Sequence, residues 1–344
     1  MNKKDYIIGK IDTAAGKVPV ISTVWSNSDL ISTIKVRWAI GRMNYKVKQG
    51  FYAIGTPDEN SDIFVSANFK LSFDHLRKAL HDMNAWVLVL DTKGINVWCA
   101  AGKGTFGTKE LTYRIKAHEL DKIVNHKNII VPQLGAVGVS AHEVKSKTGF
   151  RVIYGPVRAS DINAFVNAGY KATPEMRKVS FPLKERMKLI PVELSYGKYY
   201  LLFIPALFFI LSGINSKGYS VDLAWTTGGK AFVNLFTAYL CGSVLTPILL
   251  PWIPFKRFSL KGLSIVWVLS ILLFYFNFFG NTITEIISWF LITGSISSFL
   301  AMNYTGTSTF TSLSGVQKEM KTALPMQIGF AALGLIGWII KRFI

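Results

Sequence analysis

Cysteine is the scarcest reactive residue in this chain: Cys99 and Cys241 are the only two among 344 residues. Cys241 lies inside an apolar run, so pairing with Cys99 is not expected and a disulfide framework is excluded. An iron–sulfur cluster needs about four cysteines, so the chain cannot hold one alone. Histidine is also sparse, with five. His118-Glu119 and His142-Glu143 each begin like a zinc motif, but neither continues to a second histidine at the zinc spacing. Acidic residues number 20 against 39 Lys and Arg, for a net charge of +19. Such a balance suits an anionic lipid surface, an acidic partner or an anionic ligand. No basic run is interleaved with aromatics and no recognition motif occurs, so nucleic acid is not an expected partner. Behind Met-Asn-Lys-Lys-Asp-Tyr there is no apolar stretch fit for a signal peptide. The N-terminal domain is therefore expected in the reducing cytoplasm, where a free thiol survives.

Half of the residues are hydrophobic, and they are unevenly spread. Residues 1–198 read as a soluble domain with 30 Lys and Arg against 17 Asp and Glu; residues 199–344 carry 9 against 3. The second part contains five apolar runs, 199–214, 231–250, 263–279, 286–302 and 324–340. A spanning helix needs roughly 20 such residues, with about 17 as the lower limit. The expected organisation is a soluble domain at 1–181, a basic juxtamembrane linker at 182–198 and a multi-pass membrane domain at 199–344. With the soluble domain in the cytoplasm, Lys256, Arg257, Lys261, Lys318 and Lys321 fall inside, as the positive-inside rule asks; Lys341 and Arg342 fall outside, against it. None of the five runs contains a charged residue or histidine, which favours an anchor over a transporter. Residues 303–321, rich in Ser, Thr and Gly, read as a loop on the soluble domain's side of the membrane, a candidate lid or docking surface.

In the soluble part, Ile63–Ala67, Trp86–Leu90, Asn128–Val131 and Arg151–Tyr154 have the look of buried parallel strands. Helical patterns at Ser72–His81, Thr108–Leu120 and Ser160–Ala168 alternate with them. The alternation predicts an α/β, Rossmann-like domain. Ligands of such folds sit at the carboxyl ends of the strands, here the stretches Asp91–Gly107, Pro132–Val137 and Gly155–Ala159.

The first of these carries the chemistry: Gly94–Thr108 reads GINVWCAAGKGTFGT. Asn96 is a good N-cap, so a helix is expected to start there with Cys99 as its third residue. The helix N-terminus carries roughly half a positive charge, which favours a thiolate, at once a nucleophile and a soft metal ligand. Ala100, Ala101, Gly102 and Gly104 leave a nearly bare backbone surface, able to approach a large flat ligand; Trp98 would pack under the helix or against that ligand. Gly102–Gly107 is literally G-x-G-x-x-G, but a dinucleotide fingerprint follows its strand directly, and here about a dozen residues intervene.

At this motif the chain resembles a known family. NVWCAAGK (Asn96–Lys103), with ANFKLSFD, WVLVLDTKGINVWCAAGKGTFGT, VPQLGA and VIYGPVRA around it, is similar to the signature of the mercury-methylating corrinoid proteins of the HgcA family. The same segments resemble the large subunit of the corrinoid iron–sulfur protein. The resemblance implies a corrinoid (cobalamin-type) cofactor under a cap helix, with Cys99 as the catalytic residue and lower axial ligand to cobalt. It implies pocket walls of Asn96, Val97, Trp98, Cys99, Ala100, Ala101, Gly102, Lys103, Gly104, Thr105 and Phe106; of Gln133, Leu134, Gly135 and Ala136; and of Gly155, Pro156, Val157, Arg158 and Ala159. It further implies methyl transfer to Hg(II), a methyltetrahydrofolate-type methyl donor and an HgcB-like ferredoxin with two 4Fe–4S clusters as electron donor. The histidine motif D-x-H-x-x-G of many B12 methyltransferases does not occur. Two other readings stand beside this one: a methyl-carrying corrinoid subunit of one-carbon metabolism, and a non-enzymatic corrinoid-binding membrane protein.

Overall fold

The computed structural model describes residues 6–306 and 313–343. The chain forms two compact units, one of Met1–Val36 and Ile40–Val179, the other of Ser180–Ile344 with Arg37–Ala39. The first unit is a mixed sheet of seven strands, β1 (Ile7–Thr13), β2 (Gly16–Ile21), β3 (Gly50–Ile54), β4 (Ile63–Ala67), β5 (Ala85–Leu90), β6 (Asn128–Val131) and β7 (Arg151–Tyr154), in the order β1-β2-β3-β5-β4-β6-β7. β5, β4, β6 and β7 run parallel to one another. β3 joins β5 antiparallel. Every position of β4 and β5 is buried, as expected of parallel strands covered on both faces.

The helices divide between those faces. They are α1 (Asn27–Arg37), α2 (Lys70–Ala79), α3 (Val97–Gly102), α4 (Thr108–Ala117), α5 (Ala141–Thr148) and α6 (Ile162–Asn167). Val65, Leu88 and Val131 look one way, onto α3, α4 and α5 through Ala100, Leu111 and Val144. Phe64, Val87 and Ile130 look the other way, onto α2 and α6 through Phe73, Leu76 and Phe165. This is the period of two of a strand expressed as two cores. From β4 the chain steps one way to β5 and then back across β4 to β6. The carboxyl ends of β4 and β6 therefore flank a topological switch point.

The four parallel strands lie where the sequence places them, β5 one residue longer. α2, α4 and α6 lie within two to three residues of the expected helices. β1, β2, β3, α1 and α5 have no counterpart in the sequence reading.

The first unit ends with the short helix α7 (Pro174–Arg177); the second opens with α8 (Leu183–Met187) and continues as α9 (Ile190–Ser212), α10 (Val221–Leu240), α11 (Thr246–Leu249), α12 (Phe258–Tyr275), α13 (Ile283–Asn303) and α14 (Leu313–Ile340). Five helical stretches, Leu183–Ser212, Val221–Leu249, Phe258–Tyr275, Ile283–Asn303 and Gly315–Ile340, are long and apolar enough to cross a membrane. Several details differ from the sequence reading. Residues 182–198, expected as a linker, are largely helical, because α9 begins at Ile190. Lys261 is not a loop charge: it is buried in the first turn of α12, where its Nζ donates to the Leu250 and Ile253 carbonyls at 2.7 Å each. Lys318 and Lys321 likewise sit in α14. The expected hydroxyl-rich loop at 303–321 is shorter than drawn: α13 runs to Asn303, a 3-10 turn covers Tyr304–Gly306 and α14 starts at Leu313. The remainder of that expected lid, residues 307–312, lies outside the described residues. Small residues let α12 and α13 approach closely. A Cβ on Gly262 would meet the Ser297 carbonyl oxygen at 2.5 Å, and the Ser297 hydroxyl instead donates to the Gly262 carbonyl at 2.8 Å.

Candidate functional site

The site is built from the loops at the carboxyl ends of β4 to β7, and Asn68 anchors it. Asn68 is the first residue past β4 and is 2% exposed. Its Nδ2 donates to Asp91 Oδ1 at 3.0 Å. Its Oδ1 accepts from the backbone N–H groups of Thr92 and Gly94 at 3.1 and 2.9 Å, and from the Thr92 hydroxyl at 2.8 Å. One side-chain amide thus ties the end of β4 to the loop leaving β5. Within that loop Lys93 and Gly94 both take positive φ, 59° and 75°; glycine adopts this without strain. The tight turn aims the chain into α3. Burial works against ionisation of Asp91, but hydrogen bonds from Lys93 and Asn68 outweigh it and hold the carboxyl below its ordinary range.

Asn96 caps α3. Its backbone is extended (φ −65°, ψ 161°), and its Oδ1 accepts from the Cys99 N–H at 2.9 Å. This satisfies one of the free donors at a helix start. Val97, Ala100 and Ala101 face the core, and Cys99 is half-buried at the third helical position. Trp98 is 37% exposed, so it does not pack under the helix. Thr105 and Phe106 then turn back, both donating their backbone N–H to the Ala100 carbonyl, and the Phe106 ring is fully buried. α3 stands between β5 and the Gly102–Gly107 stretch, which removes the strand-turn geometry of a dinucleotide site.

The loop after β6 makes a 3-10 turn at Gln133–Gly135. A Cβ on Gly135 would strike the Phe106 ring, and one on Gly138 would strike the Phe106 carbonyl oxygen and approach Ala101 Cα at 3.1 Å. These two glycines let the loop close against α3. On its other side, Gln133 donates its N–H to the Pro156 carbonyl at 3.4 Å, and Gly155 donates to the Val131 carbonyl at 2.9 Å. The structure thus brings the three expected loops side by side along one edge of the sheet.

Within them, Val97, Ala100, Ala101, Phe106, Gly135, Gly155 and Pro156 are buried and serve packing. Asn96, Cys99, Thr105, Gln133, Leu134, Ala136, Val157, Arg158 and Ala159 are half-buried; Trp98, Gly102, Lys103 and Gly104 are exposed. Two details of these loops stand out. The Gln133 Oε1 atom is buried without a hydrogen-bond partner. At Gly104, held at φ 78°, no atom lies within 4 Å of where a Cβ would be. Among the described residues no three His, Cys, Asp or Glu side chains converge, and Cys99 is the one cysteine of the three loops. A cavity of about 380 Å³ lined by Lys116, Asp121, Lys147 and Phe150 lies at the opposite, amino-terminal end of the strands. The sequence reading missed Asn68 and Gly138. Asn68 sits inside the quoted segment ANFKLSFD, but its reach to Thr92 and Gly94 exists only once β4 and β5 are paired.

Residues 21–166 match the family model of the CO dehydrogenase/acetyl-CoA synthase delta subunit. That stretch runs from the end of β2 into α6 and contains all three loops. The corrinoid/iron-sulfur protein large subunit of Moorella thermoacetica is 33% identical over 125 residues, 36% of this chain and 28% of the relative. The acetyl-CoA decarbonylase/synthase complex subunit gamma of Methanopyrus kandleri is 25% identical over 168 residues, 48% of this chain and 36% of the relative. Subunit gamma 2 of that complex from Methanosarcina thermophila is 31% identical over 115 residues, 32% of this chain and 24% of the relative. The chain spans about a third or less of the length of these relatives. Residues 180–344 lie beyond the stretch matched by the family model.

Proposed function

We propose that this chain is a membrane-anchored corrinoid protein that transfers a methyl group to inorganic Hg(II), with Cys99 as the residue that would hold the corrinoid cobalt. The observation that carries the reading is the half-buried Cys99 on a capped helix past the carboxyl end of β5. The unpartnered Gln133 Oε1 and the open backbone at Gly104 fit a large flat ligand bearing hydrogen-bond donors. The relative from Moorella thermoacetica is named for a corrinoid, and the stretch that matches the family model, residues 21–166, contains this part of the fold.

A bound corrinoid supplies a methyl group held on cobalt. The chain's own residues supply its setting. Cys99 would hold the cobalt through its sulfur, and the protein ligand to the metal is a main lever on such a cofactor. Hg(II) is an electrophile, so an electron-rich methyl source suits it as acceptor. Asn96 fixes the first turn that carries Cys99, and Asn68 fixes the loop before it. Gln133 offers an acceptor to the ligand's edge. Because two cysteines cannot hold a cluster, reducing electrons come from a separate protein, an HgcB-like ferredoxin in this reading. A methyltetrahydrofolate-type carrier supplies the methyl group. The soluble unit faces the cytoplasm, with Lys256 and Arg257 on the same side of the membrane.

A second reading, a methyl carrier of one-carbon metabolism, is favoured by the names of the relatives, which belong to acetyl-CoA complexes. Two assays separate the readings. Purified protein is reconstituted with methylcobalamin and offered either Hg(II) or an acetyl-CoA synthase. Methylmercury as the product supports the first reading; transfer to the synthase alone supports the second. Cys99→Ala is expected to remain in the membrane fraction, to change the absorption spectrum of the bound corrinoid and to lose Hg(II) methylation. An unchanged spectrum with retained methylation would remove Cys99 from the cobalt.

A further inference from the structure

α1 is built inside out. Its buried residues are Asp29, Ser32 and Val36. Its large apolar residues face outward: Leu30 is 49% exposed, Ile31 54%, Ile34 60%, and Trp38, one residue past its end, 46%. The inward face is held by charge and hydrogen bonds. The Asp29 carboxylate pairs with Lys70 and with Arg77, the latter at 2.7 Å. The Ser32 hydroxyl lies 3.1 Å from the Tyr45 hydroxyl. A helix held through its polar face gains nothing in water from four large apolar side chains on the other face. At about 100° per residue, those four fall in one arc roughly 100° wide. Lys35 lies at one border of that arc, and the exposed Lys46 and Lys48 follow in the chain.

We infer that α1 lies in the interfacial layer of an anionic bilayer, its apolar arc among the acyl chains and its flanking cations at the phosphates. An apolar stripe bordered and followed by lysines, with a tryptophan at its end, has the composition of an interfacial helix. Charge selects lipid as the occupant: the soluble part carries 30 Lys and Arg against 17 Asp and Glu, complementary to anionic headgroups. The five membrane-capable helices of the same chain keep a bilayer at high effective concentration. A short helix that would bind lipid weakly by itself then binds without a dedicated partner. The inference rests on those helices crossing a bilayer, and on nothing in the corrinoid reading.

The experiment uses the full chain in nanodiscs of phosphatidylcholine and phosphatidylglycerol, with the photoreactive residue benzoylphenylalanine at one position at a time. Adducts are identified by mass spectrometry. At Val268, an exposed residue of α12, lipid adducts report the membrane span itself. At Glu59, exposed on a loop of the soluble unit, they report background. Ile34 is expected to give lipid adducts at a yield near that of Val268, falling several-fold in phosphatidylcholine alone. Lipid adducts at Val268 with none above background at Ile34 would overturn the inference and leave the spans standing. Adducts from Ile34 to a second copy of the chain would overturn it in favour of a protein interface. No adducts at Val268 would remove the membrane reading and this inference with it.

Discussion

Asn96 and Cys99 are joined by one hydrogen bond, from the backbone N–H of Cys99 to Asn96 Oδ1 at 2.9 Å. The residue that starts the helix thus fixes the backbone of the residue that carries its chemistry. Loss of an N-cap of this kind costs about 1 kcal/mol. Asn96→Ala is expected to fray α3 and weaken corrinoid binding about fivefold, read by spectroscopic titration with cobalamin. Asn96→Asp, which keeps the acceptor, should bind within a factor of two of the parent chain.

Asn68 serves three donors with one oxygen. Asn68→Leu leaves the Thr92 and Gly94 N–H groups without their acceptor in a buried setting. Unsatisfied buried groups cost roughly 1–3 kcal/mol each. The expected outcome is a lowered urea midpoint for the soluble unit together with weaker corrinoid binding. Urea unfolding followed by tryptophan fluorescence checks the first and the same titration the second. Normal binding in this variant would show that the loop holds its shape without the amide.

The contact of Gly138 with Phe106 and Ala101 is made of backbone atoms, which no rotamer change relieves. Gly138→Ala is expected to push the loop away from α3 and to destabilise the soluble unit by about 1–3 kcal/mol, the range for overpacking. Gly229, where a Cβ meets nothing within 4 Å, is the control: Gly229→Ala should leave the same unfolding curve unchanged.

Asp29 makes the packing of α1 sensitive to acid. Burial opposes its ionisation, but bonds from Lys70, Ser26 and Arg77 win and hold the carboxyl far below its ordinary range. A depressed folded-state pKa gives stability that is fully present above the unfolded value, about 3.9, and lost as pH falls from there toward the folded value. Hydrogen exchange should show α1 opening below about pH 4, ahead of the β4–β5 core. Asp29→Asn should open α1 at neutral pH at a cost of about 3 kcal/mol, since it leaves Arg77 buried without one of its carboxylates.

How much of this was legible in the chain itself differs by element. β4 to β7 are doubly covered, so each is a short continuous apolar run, and such runs stand out. The cap of α3 is also local: Asn96 and the helix it starts lie within one turn, and the side chain's bond spans three residues. The five helices long and apolar enough to cross a membrane announce themselves by length and hydropathy, though their ends did not, because Lys261 and, in the first turns of α9, Glu193, Ser195 and Lys198 are charged or polar yet helical. α1 defeated the pattern altogether, since a periodicity read as amphipathic puts its apolar face inward and here that face is outward. β3 was hidden because its five buried residues, Gly50–Ile54, follow a basic stretch and pair with β5 and β2, whose partner residues lie tens of positions away.

Local composition by itself determined the doubly covered strands β4 to β7, the capped helix α3 and the long apolar helices, since burial on both faces, capping and hydropathy act between residues close in the chain. Only the tertiary structure decided that Asn68 holds the loop of a different strand, that Gly135 and Gly138 make room for Phe106, and that α1 turns its charged face inward. Each of those depends on pairings between residues tens of positions apart, and their energies exist only after the sheet order has brought the partners within hydrogen-bond or van der Waals reach.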